Sequence, residues 1–263
     1  MAFDFAARGA LLDWAMVAPF SIVRPGGEPP GSGPGPGLKL DMALQLLQHA
    51  GYTLPALDVV GEDAWMQALI DALCRLSSHD ALTGLANRRE FELAIAREID
   101  RVARTGEAAL LLMIDIDRFK HINDTHGHSV GDLAIISVAR VLHASIRPMD
   151  TVARLGGEEF AIILPNCPLD FGLAAAERVR TKIAAQEIPV GSAHPLTLTV
   201  SVGGAFAPVE AKPQAQHWLE RADRQLYRAK SEGRNRSCLE VPADSDAEAQ
   251  LSMFGQSWFH TPE

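Results

Sequence analysis

Residues 110–132 read LLLMIDIDRFKHINDTHGHSVGD. The apolar run Ala108–Ile114, bounded by Gly106 and Asp115, is too short for a helix of that character and reads as a buried strand. It ends in Asp115-Ile116-Asp117, which puts carboxylates at its C-terminal tip, where side chains clear the core. Successive strand residues face opposite sides, so Asp115 and Asp117 share one face in an extended segment.

Upstream, Asn87 followed by Glu90 is a helix start of capping-box type. Phe91, Ile95, Ile99 and Val102 line one face of that helix until Gly106 stops it. Downstream, Asp132–Ile146 is helical, with Ile135, Val138 and Leu142 on one face and Pro148 beyond it. Thr151–Leu155 and Glu159–Leu164 read as strands with Gly156-Gly157 near the reversal, a hairpin signal. Asp170–Gln186 reads as a helix, Pro195–Phe206 as a long strand and Gln214–Glu232 as a helix ending at Gly233; Arg236–Glu240 can add an edge strand. The order strand, helix, hairpin, helix, strand predicts an α+β fold with a ferredoxin-like, palm-type antiparallel sheet and helices on one face.

The first 79 residues differ in character and predict a small, mostly helical regulatory or dimerising segment. Residues 25–37, PGGEPPGSGPGPG, form a linker or long loop. Asp41–Ala50 reads as a short capped helix ending at Gly51, and Glu62–Ser78 as a second. Met66, Leu69, Leu73 and Leu76 make a heptad seam under two heptads long, which suits a one-sided core helix as well as a dimerising one. The apolar stretch Ala10–Val23 contains Asp13 and Pro19 and falls short of the ~20 residues of a membrane helix. With no visible export signal, the expected location is cytoplasmic, away from membranes. Cys74, Cys167 and Cys238 are scattered, so three reduced thiols are expected rather than a disulfide or zinc framework. A net charge of -9 argues against a nucleic-acid partner, though not against a small basic phosphate pocket. The tail 241–263 is acidic and reads as flexible or lightly docked.

Chemistry concentrates in two places, the Asp115–Asp117 tip and Gly156-Gly157-Glu158-Glu159-Phe160. The glycine pair allows a tight turn and close ligand approach. Strand pairing would set Glu158 and Glu159 beside Asp115. Converging carboxylates read either as a solvated acidic turn or as a Mg²⁺ site completed by substrate phosphates. A pair of such ions can activate a hydroxyl and steady a leaving phosphate.

Taken together, these motifs resemble the GGDEF family of diguanylate cyclases over about Asp80 to Glu240. The resemblance opens with Asp80-Ala81-Leu82-Thr83-Gly84-Leu85-Ala86-Asn87-Arg88 and continues through Asp115-Ile116-Asp117-Arg118-Phe119-Lys120 and Asn123-Asp124. It passes the Gly156–Phe160 motif and closes with Lys230-Ser231-Glu232-Gly233-Arg234-Asn235. It implies condensation of two GTP into cyclic di-GMP with release of two pyrophosphates, across a homodimer. It implies two Mg²⁺ ions per site, or Mn²⁺ in their place, held by Asp115, Glu158 and the Ile116 carbonyl, with Glu159 assisting the second. Asp115, Glu158 and Glu159 are thereby the catalytic candidates.

By the same resemblance Asn123 and Asp132 read guanine, Lys230 and Arg234 grip phosphates, and Phe119 and Lys120 offer backbone N–H groups, with Gly157 lining the GTP site. An acidic acceptor suits guanine's N1–H and amino group. His126 and His128 are expected in a structural loop, while Trp218 and Tyr227 are expected to pack. Arg147-Pro148-Met149-Asp150 matches the family's R-x-x-D inhibitory motif for cyclic di-GMP, and Arg178 stands where some members carry a secondary arginine. Two rival readings stay in view, a catalytically silent cyclic di-GMP sensor and another nucleotidyl cyclase. The joint presence of the hairpin motif, Asp115, Asn123, Asp132, Lys230 and Arg234 weighs against the first, and the guanine-reading pair Asn123 and Asp132 weighs against the second.

Overall fold

The structure is a computed structural model that describes residues 40–191, 194–207 and 214–240. The stretch 10–23, the Pro/Gly-rich segment 25–37 and the acidic tail 241–263 lie outside the described residues. The chain divides between Ala81 and Leu82 into two units. In the first, α1 (Asp41–His49), α2 (Leu57–Val60) and α3 (Glu62–Ser78) surround Leu47, Leu54, Leu69 and Ala72. Met66, Leu73 and Leu76 pack against that cluster, so the heptad seam of α3 is the inner face of this unit. The N-cap of α1 is Leu40, without the side-chain cap expected there.

The second unit starts with α4 (Arg88–Thr105), whose N-cap Asn87 accepts from the Glu90 N–H at 3.0 Å. β1 (Ala109–Ile116) follows, then α5 (Phe119–His126) and α6 (His128–His143). The segment carrying His126 and His128 is therefore helical where a loop was expected. The break between the two helices is Gly127 at φ 83, which ends one axis and starts another. β2 (Thr151–Gly156) and β3 (Glu159–Pro165) form the hairpin, followed by α7 (Leu169–Ala184), β4 (Val200–Phe206), α8 (Ala215–Ser231) and β5 (Ser237–Glu240).

The five strands lie in the order β2-β3-β1-β4-β5. The first four pair antiparallel, but β5 runs parallel to β4, so the sheet is mixed rather than antiparallel. Helices also cover both faces, not one. The reason is in β1, which alternates between two cores. Leu110, Leu112, Ile114 and Ile116 join Val138, Leu142 and Val179 of α6 and α7. Ala109 and Leu111 join Phe91 and Ile95 of α4 and Trp218 of α8.

α8 sits directly on β4, because a Cβ at Gly203 would lie 2.0 Å from the Leu226 nitrogen and only glycine fits. Trp218 is buried and its indole N–H donates to the Ala205 carbonyl at 2.7 Å. Tyr227, expected to pack, is 73% exposed because it falls on the outer face of the same helix. The expected long strand from Pro195 is shorter: Leu196 instead exchanges two backbone bonds with Ile188, and the sheet is joined only at Val200.

Candidate active site

The end of β1 meets both neighbouring strands. Asp115 lies opposite Glu159 of β3 and opposite Ser201 of β4. One residue on, the Ile116 N–H donates to the Glu158 carbonyl at 3.3 Å. The turn between β2 and β3 is made by Gly156 at φ 147 and Gly157 at φ 50. Two arginines hold its carbonyls: Arg154 donates twice to Gly157, at 2.9 and 3.0 Å, and Arg88 donates to Leu155 at 2.9 Å. The hairpin thus delivers Glu158 and Glu159 to the tip of β1 on a pinned turn.

Asp115 is buried, and its Oδ2 lies 2.7 Å from the ammonium of Lys230 in the last turn of α8. Burial pushes its carboxyl above the ordinary carboxylate range. The hydrogen bond and charge of Lys230 pull it back, while Glu158 and Glu159 add repulsion. Lys230 is the cation that favours the ionised form of Asp115. Among the described residues no three His, Cys, Asp or Glu side chains gather as a self-sufficient metal cage. Mg²⁺ asks for less, one or two carboxylates with water and substrate phosphate supplying the rest. Asp115, Glu158 and a main-chain carbonyl fit that donor set.

Asn123 and Asp132 come from the two helices on either side of Gly127. The Asn123 Oδ1 is buried with no hydrogen-bond partner in the protein. It occupies the space a side chain at Gly131 would need, 1.9 Å from where a Cβ would stand. Gly131 and Asp132 thus lie where α6 passes α5. A buried acceptor with no partner is costly and points to a ligand that donates to it. Phe119 and Lys120 open α5 behind Arg118, which takes a left-handed N-cap at φ 55. The first N–H groups of a helix have no intrahelical partner, so these two present donors outward. Arg234 follows α8 at φ 64, its N–H bonded to the Ala229 carbonyl at 3.0 Å.

Asp117 shares the face of Asp115, as its spacing requires, but its carboxylate is already engaged. It accepts from the Thr199 hydroxyl at 2.7 Å, the Ser201 hydroxyl at 2.6 Å and the Asn235 N–H at 3.0 Å. Thr199 and Ser201 were not singled out in the sequence, and no local pattern marks them.

Away from these groups, Arg147 pairs with Asp150 through its guanidinium and its own N–H, the latter at 2.7 Å. It also donates to the Pro165 carbonyl at 2.9 Å and lies 4.6 Å above the Phe171 ring. Arg178 of α7 reaches the same ring at 5.8 Å and donates to the Ser145 carbonyl. Arg147 and Arg178 thus meet at Phe171, and Asp150 joins them through its pair with Arg147. Nearby Cys167 is buried, which pushes its thiol up to about 12 and makes it inert.

A family model described as "Diguanylate cyclase, GGDEF domain" matches residues 77–236. The chain is 42% identical over 165 residues to the probable diguanylate cyclase DgcC of Escherichia coli strain K12, spanning 62% of this chain and 43% of that protein. Among solved structures, the GGDEF domain of DgcB from Caulobacter crescentus in complex with c-di-GMP superposes with a TM-score of 0.59 at 34% identity, covering 62% of this chain and 95% of that one. The active GGEEF domain of a diguanylate cyclase from Vibrio cholerae gives 0.55 at 30% identity, covering 60% and 99%. The chain spans less than half the length of the curated relatives it matches. No helix among the described residues is long and apolar enough to cross a membrane. A match running through most of the second unit, on a fold shared with solved GGDEF domains, makes this chain a member of the GGDEF family of diguanylate cyclases.

Proposed function

We propose that the chain condenses two GTP molecules into cyclic di-GMP. The observation that carries this reading is the buried Asp115 at the end of β1, ion-paired with Lys230 and set opposite Glu159 beside the Glu158 backbone. Each 3′-hydroxyl oxygen forms a bond to the α-phosphorus of the other GTP, and each bond formed releases one pyrophosphate and one proton. Each domain holds one GTP, so the reaction needs two domains face to face, and holding the two nucleotides in line is a large part of the catalysis.

Within one domain the guanine edge is read by Asn123 and Asp132, and the orphaned Asn123 oxygen supports this by lacking any donor of its own. The N–H groups of Phe119 and Lys120 and the side chains of Lys230 and Arg234 take the phosphates, with Gly157 leaving room at the turn. Asp115, Glu158 and the Ile116 carbonyl hold Mg²⁺ or Mn²⁺, and Glu159 assists a second ion. When bound, the metal neutralises phosphate charge and lowers the pKa of the attacking hydroxyl. Lys230 is the cation that Asp115 keeps until the substrate arrives.

The same reading assigns Arg147, Asp150 and Arg178 to feedback by cyclic di-GMP, the ligand in the Caulobacter structure. Residues 1–79 are assigned regulation or dimer formation, residues 80–240 the cyclase, and the cytoplasm the location. The intact set of metal-, base- and phosphate-directed groups favours turnover over a silent sensor.

The test is incubation of the purified chain with GTP and MgCl₂ and identification of the product by chromatography, alongside a sizing measurement across a dilution series. Cyclic di-GMP and two equivalents of pyrophosphate are expected, with specific activity falling as the dimer dissociates. GTP left unconsumed by a sized dimer would overturn the assignment.

A further inference from the structure

The second aspartate of the Asp115–Asp117 tip faces the same way as the first, so it invites assignment as one more metal ligand. Its surroundings assign it otherwise. Asp117 is 8% exposed and accepts three hydrogen bonds, from two hydroxyls on the adjoining chain at β4 and from the backbone of Asn235. A carboxylate has about four acceptor sites, so little is left for a metal, and turning the group would release all three donors.

The Asn235 end of this contact lies in the turn after α8, which carries Arg234. Arg234 and Asn235 both sit at positive φ, 64 and 45, a backbone region that residues other than glycine avoid unless the surroundings hold them there. The surroundings hold this turn from two sides. Asp117 takes the Asn235 N–H, while Arg180 of α7 donates to its side-chain Oδ1 at 2.7 Å and to its carbonyl at 3.4 Å. From there the chain enters β5, whose first pairing is Ser237 with Val202.

We infer that Asp117 and Arg180 are positioning residues: together they clasp Asn235 and so fix where Lys230 and Arg234 present their cations to the triphosphate. The inference rests on the phosphate role proposed above for those two side chains, and extends it to residues outside the site itself. It also divides the labour at the strand tip. Asp115 pairs with Lys230 and would hold a metal, and Asp117 fixes the segment from which the phosphate grip comes.

The experiment compares Asp117→Asn and Arg180→Ala with the parent chain, using two probes: the α,β-methylene analogue of GTP, which cannot react, and guanosine, which has no phosphates. Binding of each is measured by calorimetry or competition without Mg²⁺, and melting temperature is recorded for each variant. Asp117→Asn should weaken the triphosphate analogue by about ten-fold or more, the value of one charge-assisted hydrogen bond, while guanosine binds as before. Arg180→Ala should move the ratio in the same direction, and it decides the matter if Asp117→Asn does not fold. An unchanged analogue-to-guanosine ratio in the folded variants, or parallel loss of both probes, would overturn the clasp. So would unchanged metal-free binding by Asp117→Asn together with a higher Mg²⁺ requirement for turnover, which is the signature of a metal ligand. Failure of the cyclase reading shows separately, as a parent chain that binds the analogue but makes no cyclic di-GMP.

Discussion

At Asp115, function and stability pull in opposite directions. Its carboxyl is raised on folding, chiefly by burial, with Lys230 opposing the rise. The native state therefore holds the proton more firmly than the unfolded chain does. Stability from this group is fully present below the ordinary carboxylate range and is lost as pH rises through the raised value. Asp115→Asn should accordingly melt at or above the parent temperature near neutral pH, with the gap closing in acid, while product formation falls by roughly 100-fold or more. Thermal melts across pH with a parallel assay check both; a variant that melts well below the parent at neutral pH would contradict the direction. Gly131 gives a second test. Its missing side chain is the space filled by the Asn123 Oδ1, so Gly131→Ala should displace the carboxamide. The KM for GTP should rise by about ten-fold and discrimination against ATP should fall, with kcat little altered; unchanged KM would mean that Asn123 does not read the base. Asp115, Glu158 and Asn123 were legible because they stand in short motifs with their own spacing. The engagement of Asp117 was not, since its partners Thr199 and Ser201 are placed by the register of β4, 82 and 84 residues away.

Elements were legible where their signals are local. The Asn87 cap, the apolar run of β1 and the Gly156-Gly157 reversal each decide a boundary within a few residues. Where neighbours decide, the sequence misleads. Residues 195–199 have strand-like composition, yet the bridge between Leu196 and Ile188 takes the chain away from the sheet before Val200. The parallel direction of β5 depends on α8 crossing the sheet before it, and four residues do not announce that. The seam of α3 carries a prediction at this scale. Leu69 is 1% exposed among Leu47, Leu54 and Ala72, whereas Met42, Leu46 and Ile70 face outward. Leu69→Asp should therefore cost about 3 kcal/mol or more through a buried unpaired charge and unfold the helical unit, seen as lost helicity in circular dichroism. Full helicity with a changed oligomeric state would show instead that the seam faces a partner.

For the whole molecule, the feedback proposed for Arg147, Asp150 and Arg178 is the behaviour to test. Asp150 has a side chain 1% exposed, paired with Arg147 at 3.0 Å. Arg147→Ala therefore strands a buried carboxylate, at about 3–5 kcal/mol, and lowers stability as well as inhibition. Arg178→Ala removes a group that, among the described residues, bonds the Ser145 carbonyl and leans on Phe171. It should relieve inhibition by cyclic di-GMP at least about ten-fold with a smaller loss in melting temperature, as read from progress curves with added product. Equal inhibition of Arg178→Ala and the parent would leave that arginine a structural part of α7. The bond between Asp117 and Asn235, finally, spans 118 residues of chain, and the ion pair of Asp115 with Lys230 closes a loop of similar length. Such closures are slow in folding because chain entropy is lost before any contact rewards it. A ribosome that has released the first three strands has delivered the acidic half of the site, without its cations. On the phosphate role proposed above for Lys230 and Arg234, a chain cut short before α8 and β5 would lack that grip.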